Sequence, residues 1–239
     1  MPDRSSPTIL AFDTAGAALS VAVCEGQRVL AALHEPLRRG HAELLLPAID
    51  GVLHAAGRKL ADLDAIATTV GPGSFTGLRT GLAAAQGLAF ASGLPLVGVD
   101  RFSALAAATV VLGQKPLVIA FDSRARTLYV QAYRADGSRP PCWPAAGRNL
   151  SPEEAAEELA EALPEAGWLV AGEGAPALLA AGFQGQDTGM RALTATQVAA
   201  VALAELAAGG TGWPPQPLYL APPRAVLPKD GGRLRARRT

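Results

Sequence analysis

Val70-Gly71-Pro72-Gly73-Ser74-Phe75-Thr76-Gly77-Leu78-Arg79 joins two stretches of different pattern. Before it, Asp64-Ala65-Ile66-Ala67-Thr68-Thr69-Val70 is a short apolar run with β-branched residues, which predicts a buried strand. After it, a helix is expected from about Leu78 to Ser92, and Pro95-Leu96-Val97-Gly98-Val99 reads as a further strand. Strand, glycine-rich turn, helix and strand in that order belong to an α/β fold. Gly71, Gly73 and Gly77 permit positive φ and leave backbone N–H groups uncovered. A helix N-terminus behind them favours an anion. A tight turn with close helix packing accounts for the same glycines. Known phosphate and nucleophile signatures do not fit. There is no GK[ST], the third glycine falls one residue late for GxGxxG, and Pro72 breaks the GxSxG frame around Ser74.

Upstream, Thr8-Ile9-Leu10-Ala11-Phe12 is an apolar strand ending at Asp13-Thr14. Ala18 to Cys24 and Arg28 to Leu33 form a hairpin around Glu25-Gly26-Gln27. A helix is expected from about Ala42 to Ala56, with Leu45, Ile49, Val52 and Ala56 on one face. Pro47 must sit in its first turn or kink it, and Gly57 is a natural stop. The order is therefore β-β-β-α-β-α-β.

From Leu117 the pattern starts again. Leu117-Val118-Ile119-Ala120-Phe121 ends at Asp122-Ser123, as the first strand ends at Asp13-Thr14, and Leu128 to Tyr133 follows as a strand. Such a repeat predicts two lobes of similar topology. Pro140 to Leu150 reads as a Pro-rich loop. Ser151-Pro152-Glu153-Glu154 is a helix start with Ser as N-cap. Trp168 to Ala171 is a strand, and Thr194 to Ala208 is an Ala-rich helix stopped by Gly209-Gly210. The expected organisation is a first, partner-binding lobe over 1–108 and a smaller second lobe over 109–193. A helix and extended segment over 194–224 packs back, and 225–239 is an irregular basic tail with Lys229, Arg233, Arg235, Arg237 and Arg238.

Composition narrows the classes. The 239 residues are 49% apolar and 18% charged, which is globular. Lys plus Arg and Asp plus Glu both number 21, so no global field favours nucleic acid. Two cysteines, Cys24 and Cys142, exclude a Cys-type metal site and suit a reducing compartment. His34, His41 and His54 form no helical pair, so a two-histidine metal site is not expected. No signal peptide and no membrane span is evident, so the expected compartment is the cytoplasm. Asp13 stands where a carboxylate can hold hydrated Mg²⁺ and Thr14 where a hydroxyl can meet phosphate, although Asp-Thr also makes ordinary turns.

Five segments carry a family resemblance: Ile9 to Thr14, His41 to Ile49, Gly71 to Arg79, Asp122-Ser123-Arg124 with Tyr129, and Pro217-Leu218-Tyr219-Leu220. Together they resemble the TsaB (YeaZ) family, a paralogue of the TsaD/Kae1 family in the actin–sugar kinase–Hsp70 superfamily. The resemblance implies an actin-like (ribonuclease H-like) α/β fold, two lobes of mixed sheet flanked by helices. It implies a non-catalytic partner of a TsaD-like transferase, joined by a TsaE-like ATPase. That complex makes N6-threonylcarbamoyladenosine at position 37 of tRNAs reading ANN codons. TsaD-like proteins carry a metal-binding HxxxH after the strand matching Pro95 to Val99. Here those positions are Arg101 and Leu105, which cannot hold a divalent ion.

No cofactor is then required. Weak ATP or ADP with Mg²⁺ stays open at Asp13, Thr14, Gly71, Gly73 and Ser74. A partner face is expected from Leu45, Ile49, Val52, Leu78, Leu82 and Ala85, serving a homodimer when the chain is alone. The alternative is an ATP-dependent phosphotransferase or ATPase of the same fold. A metallopeptidase lacks both metal site and activated nucleophile.

Overall fold

The structure, a computed structural model, describes residues 6–37, 39–109, 115–134, 142–164, 166–210 and 215–221. The basic tail lies outside the described residues. In chain order come β1 (Thr8–Asp13), β2 (Ala18–Glu25), β3 (Arg28–Pro36), α1 (His41–Ala55), β4 (Ala65–Gly71), α2 (Phe75–Ser92) and β5 (Leu96–Asp100). The helix α3 (Arg101–Thr109) follows, then β6 (Leu117–Asp122), β7 (Leu128–Tyr133), β8 (Trp143–Leu150), α4 (Pro152–Ala162), β9 (Leu169–Ala171), α5 (Ala175–Ala180) and β10 (Gln186–Asp187). The helix α6 (Ala195–Ala207) comes last.

Two five-stranded sheets form, ordered β3-β2-β1-β4-β5 and β10-β9-β6-β7-β8. Read from the opposite edge, the second has the order of the first. In each, the first strand pairs antiparallel with its hairpin partner and parallel with the strand after a helix. The chain therefore has the expected actin-like fold, and Asp13 and Asp122 end equivalent strands.

Strand alternation decides the layers. Leu10 and Phe12 of β1 point to one face with Leu45, Ile49 and Val52 of α1 and Ala85 of α2. Ile9 and Ala11 point to the other, into a core shared by α3, α6 and the second sheet. That shared face is lined by small residues, Ala11, Ala22, Ala65 and Ala67, opposite Ala195, Ala199 and Ala202 of α6. Small facing small lets α6 lie close to the sheet. Beyond the second sheet, α4 and α5 cover Val118, Val130 and Val170. Both sheets are thus covered on both faces, which is why β1 and β4 read as continuous apolar runs.

Several expectations need correction. The stretch read as a Pro-rich loop up to Leu150 becomes β8 from Trp143, paired antiparallel with β7. Its prolines precede the strand or lie at its start, where a missing N–H is tolerated. The helix α2 begins at Phe75 rather than Leu78, because Ser74 caps it by accepting from the Gly77 N–H at 3.3 Å. Pro47 sits in the second turn of α1, not the first.

The expected partner face is also corrected. Leu45, Ile49, Val52, Leu78, Leu82 and Ala85 are all buried within the first lobe. An apolar helix stripe covers its own sheet before any partner, since the outer face of β1, β2 and β4 is otherwise bare. Among the described residues no helix is long and apolar enough to cross a membrane. Cys24 is buried and Cys142 half-buried, neither in a disulfide, and burial pushes the Cys24 thiol up to about 11.

Candidate functional site

The strand ends of β1 and β4, the turn after β1, the glycine loop and the start of α3 converge between the two sheets. Asp13 is buried there, hydrogen-bonded through one oxygen and ion-paired through the other. Its Oδ1 accepts from the Ala15 N–H at 3.0 Å and from the Thr69 hydroxyl at 2.5 Å. Its Oδ2 lies 3.5 Å from Arg101 Nε. Thr14 is equally committed, since its hydroxyl donates to the Gly77 carbonyl at 2.7 Å.

Close packing consumes the glycine loop as well. A Cβ on Gly73 would lie 2.7 Å from the Ala15 carbonyl oxygen, and one on Gly71 would lie 2.6 Å from that of Leu218. The Ser74 N–H donates to Ala15 O at 2.9 Å. So Asp13, Thr14, Gly71, Gly73 and Ser74 do come together, but chain atoms occupy the groups that would hold Mg²⁺ and phosphate. These residues do not fit a magnesium nucleotide.

Arg101 is the centre of the arrangement. Its side chain is 2% exposed and reaches four elements. Besides Asp13, it donates from Nη1 to the Pro72 carbonyl at 3.0 Å. Its Nη2 lies 3.5 Å from Glu173 Oε1, in the loop after β9. The guanidinium carbon stands 4.2 Å over the Phe121 ring of β6, a cation–π contact. Leu105, one turn on, is wholly buried in the shared core. The sequence shows Arg101 only as a missing histidine. A sharper signal exists: it is the sole charge between Asp100 and Lys115, and a lone Arg in an apolar stretch implies a buried partner. Glu173 gives no such signal.

Beside this cluster is a cavity of about 370 Å³, lined by Ser74, Thr76, Arg124, Tyr129, Asn149 and Tyr219 among others. The segment 215–221 forms one of its walls. Leu218 N–H donates to Val70 O at 2.7 Å, extending the end of β4. Tyr219 stacks on Phe75 with ring centroids 5.0 Å apart, and its hydroxyl accepts from Arg79 Nε at 3.0 Å. This strap is the part of the matched Pro217 to Leu220 segment whose role only the structure reveals.

His41, the first residue of α1, is half-buried beside the cleft, and its Nε2 has no hydrogen-bond partner among the described residues. Burial pushes its pKa below 6.5, and the charge of Arg124 adds to this, while a backbone bond to Ala18 and the charge of Asp13 act oppositely. The sign follows. Above pH 6.5 the imidazole is neutral folded and unfolded; below it the unfolded chain binds the proton first. Stability is therefore lost as pH falls from 6.5 through the depressed folded value. The urea midpoint should drop over that window, and His41→Gln should flatten the drop. An unchanged slope would show that His41 does not carry it. Asp100, raised from 3.8 chiefly by burial while accepting from Ser103 N and Oγ at 2.8 Å, acts with the opposite sign, its contribution being lost as pH rises above 3.8.

Comparison with known proteins identifies the lineage. The family model described as TsaD, tRNA N6-adenosine threonylcarbamoyltransferase, matches residues 35–207. A crystal structure of a Pseudomonas aeruginosa protein, described as similar to peptidase YEAZ, is 30% identical. It covers 90% of this chain and 100% of its own, with TM-score 0.73. The chain belongs to the TsaB (YeaZ) family, within this transferase lineage. Pseudomonas aeruginosa YeaZ itself superposes with TM-score 0.74 at 29% identity, over 90% of this chain and 100% of that one. The tRNA threonylcarbamoyladenosine biosynthesis protein TsaB of Haemophilus influenzae is 40% identical over 124 residues, 51% of this chain and 52% of that protein. The match spans about half the length of such curated relatives. At the two positions where the resemblance implies histidines, this chain has Arg101, buried beside Asp13, and Leu105, buried in the shared core.

Proposed function

We propose that this chain is a non-catalytic partner subunit of a TsaD-type transferase that forms N6-threonylcarbamoyladenosine at adenosine 37 of tRNA. The observation that carries the reading is the burial of Arg101 against Asp13, at the position where the transferase relatives are expected to hold a metal. A guanidinium offers no lone pair to an ion and no proton to transfer near neutral pH. Ser74 Oγ serves as a helix cap rather than a nucleophile. The ATPase alternative needs Asp13 free, and Asp13 is committed.

The docking face is then the outer side of α1 and α2. Leu46 is 55% exposed and Phe90 92% exposed, with Leu44 nearby on α1. Ala83 and Gly87 lie between on the exposed side of α2 and let another backbone approach. An apolar helix-pair face of this kind fits a second actin-like lobe, either the transferase or, when the chain is alone, a second copy. A TsaE-type ATPase joins the transferase complex, and tRNA is reached through the complex.

Reconstitution tests the role. With tRNA, threonine, bicarbonate, ATP and the other family proteins, modified adenosine measured by nucleoside mass spectrometry should require this chain. Modification that proceeds equally well without the chain would end the proposal.

A further inference from the structure

We infer that Arg101 is a built-in cation that clamps the two lobes at one angle, in place of any exchangeable ion or nucleotide between them. Three oxygens of different origin converge on one guanidinium. Asp13 Oδ2 comes from the end of β1, Pro72 O from the glycine loop, and Glu173 Oε1 from the second lobe. Two carboxylates and a carbonyl are the oxygen types that a hard divalent ion selects. Here a covalently attached charge fills that position.

The fit is tight on the remaining side. A Cβ on Gly16 would lie 2.7 Å from Arg101 Nη2, 3.3 Å from Glu173 Oε1 and 3.4 Å from Asp13 Oδ2. Only a bare backbone leaves room for the bridge. The second lobe adds a second hold, since the Phe121 ring packs under the guanidinium and lies tilted against Phe102, 5.4 Å between centroids. Arg124 repeats the device in the other direction: it reaches from the second lobe to donate to the Gly16 carbonyl.

The turn after β1 is thus met by Arg101 and, from the turn after the equivalent strand β6, by Arg124. An exchangeable ligand would make lobe angle depend on its concentration. A resident guanidinium removes that dependence and presents α1, α2 and the 215–221 strap as one fixed surface. The inference concerns this chain alone and does not depend on its partner or on tRNA.

Spin labels at Glu43→Cys on α1 and Glu157→Cys on α4, in a Cys142→Ser background, report lobe separation by pulsed electron resonance. Both label sites are exposed. The wild-type distance should be single and unchanged by magnesium ADP. Glu173→Gln removes the only inter-lobe ion pair of Arg101 among the described residues, at a side chain 23% exposed, and leaves the Phe121 contact, so it should fold and broaden the distribution. Arg101→Ala should broaden it further. It should also gain roughly 5 °C in melting temperature at millimolar Ca²⁺, which wild type should not.

A Glu173→Gln distribution as narrow as wild type overturns the clamp. So does a wild-type distance that shifts with magnesium ADP. An Arg101→Ala chain that gains nothing from Ca²⁺, or a wild type that gains as much, overturns the substitution of guanidinium for ion. Should Arg101→Ala fail to fold, Glu173→Gln decides the clamp by itself.

Discussion

Gly77→Ala is expected to lower the melting temperature by about 10 °C, corresponding to roughly 3 kcal/mol in a chain of this size. Gly77 lies in the first turn of α2 with an ordinary helical backbone, so conformational freedom is not the reason. Close approach is. A Cβ there would stand 2.1 Å from the Thr14 carbonyl oxygen, 3.1 Å from its carbon and 3.3 Å from Ala15 Cα. All three are backbone atoms held by the Asp13–Ala15 turn, so nothing flexible can move aside. The helix would have to retreat from the turn, breaking the Thr14 to Gly77 hydrogen bond and unseating Leu78, which is 1% exposed.

Gly87→Ala, ten residues along the same helix, has open space around its Cβ position. It should instead gain about 0.5–1 kcal/mol from reduced unfolded-state entropy and better helix propensity. Thermal melts of the pair compare one substitution in two surroundings. Equal shifts would show that the turn and helix are not in contact in solution.

Phe90→Asp is expected to weaken capture of the transferase partner by about 100-fold while leaving the melting temperature within about 2 °C of wild type. Phe90 exposes 92% of its surface, so the described residues of its own lobe leave it uncovered. Large aromatics flanked by small residues are the groups that dominate interface energies when a partner buries them. A carboxylate there would face desolvation on docking with no partner charge. Leu82→Glu does not test the face, because Leu82 is 4% exposed and a charge there would break the first lobe itself. Binding measured by titration with purified partner separates the two cases. Undiminished affinity for Phe90→Asp would move the docking surface away from α2.

The reach of the sequence differs from element to element. Strand β4 is legible because its pattern is local, a β-branched apolar run; the start of α2 is not, because the glycines around Ser74 read as loop and hide its role as the cap that starts the helix at Phe75. The duplication was legible too, through Phe12-Asp13-Thr14 and Phe121-Asp122-Ser123, and both copies end equivalent strands. The face of α1 was read correctly as apolar and wrongly as free. Amphipathicity says that a stripe is buried, not what buries it. Strand β8 was hidden by its prolines, and its pairing with β7 comes from a sheet position that local propensity does not encode.

The site shows the same division. Sequence alone determined the α/β class, the two-lobed repeat, the family and the absence of histidines at 101 and 105. Those properties reside in residue type and spacing along the chain. Only the tertiary structure decided that Asp13 is spent on Thr69 and Arg101, that Glu173 crosses from the other lobe, and that the 215–221 strap walls the cleft. These contacts join residues separated by dozens to more than a hundred positions. Each depends on two surfaces meeting; the lone charge of Arg101 marks that a partner exists, but nothing local says which residue it is.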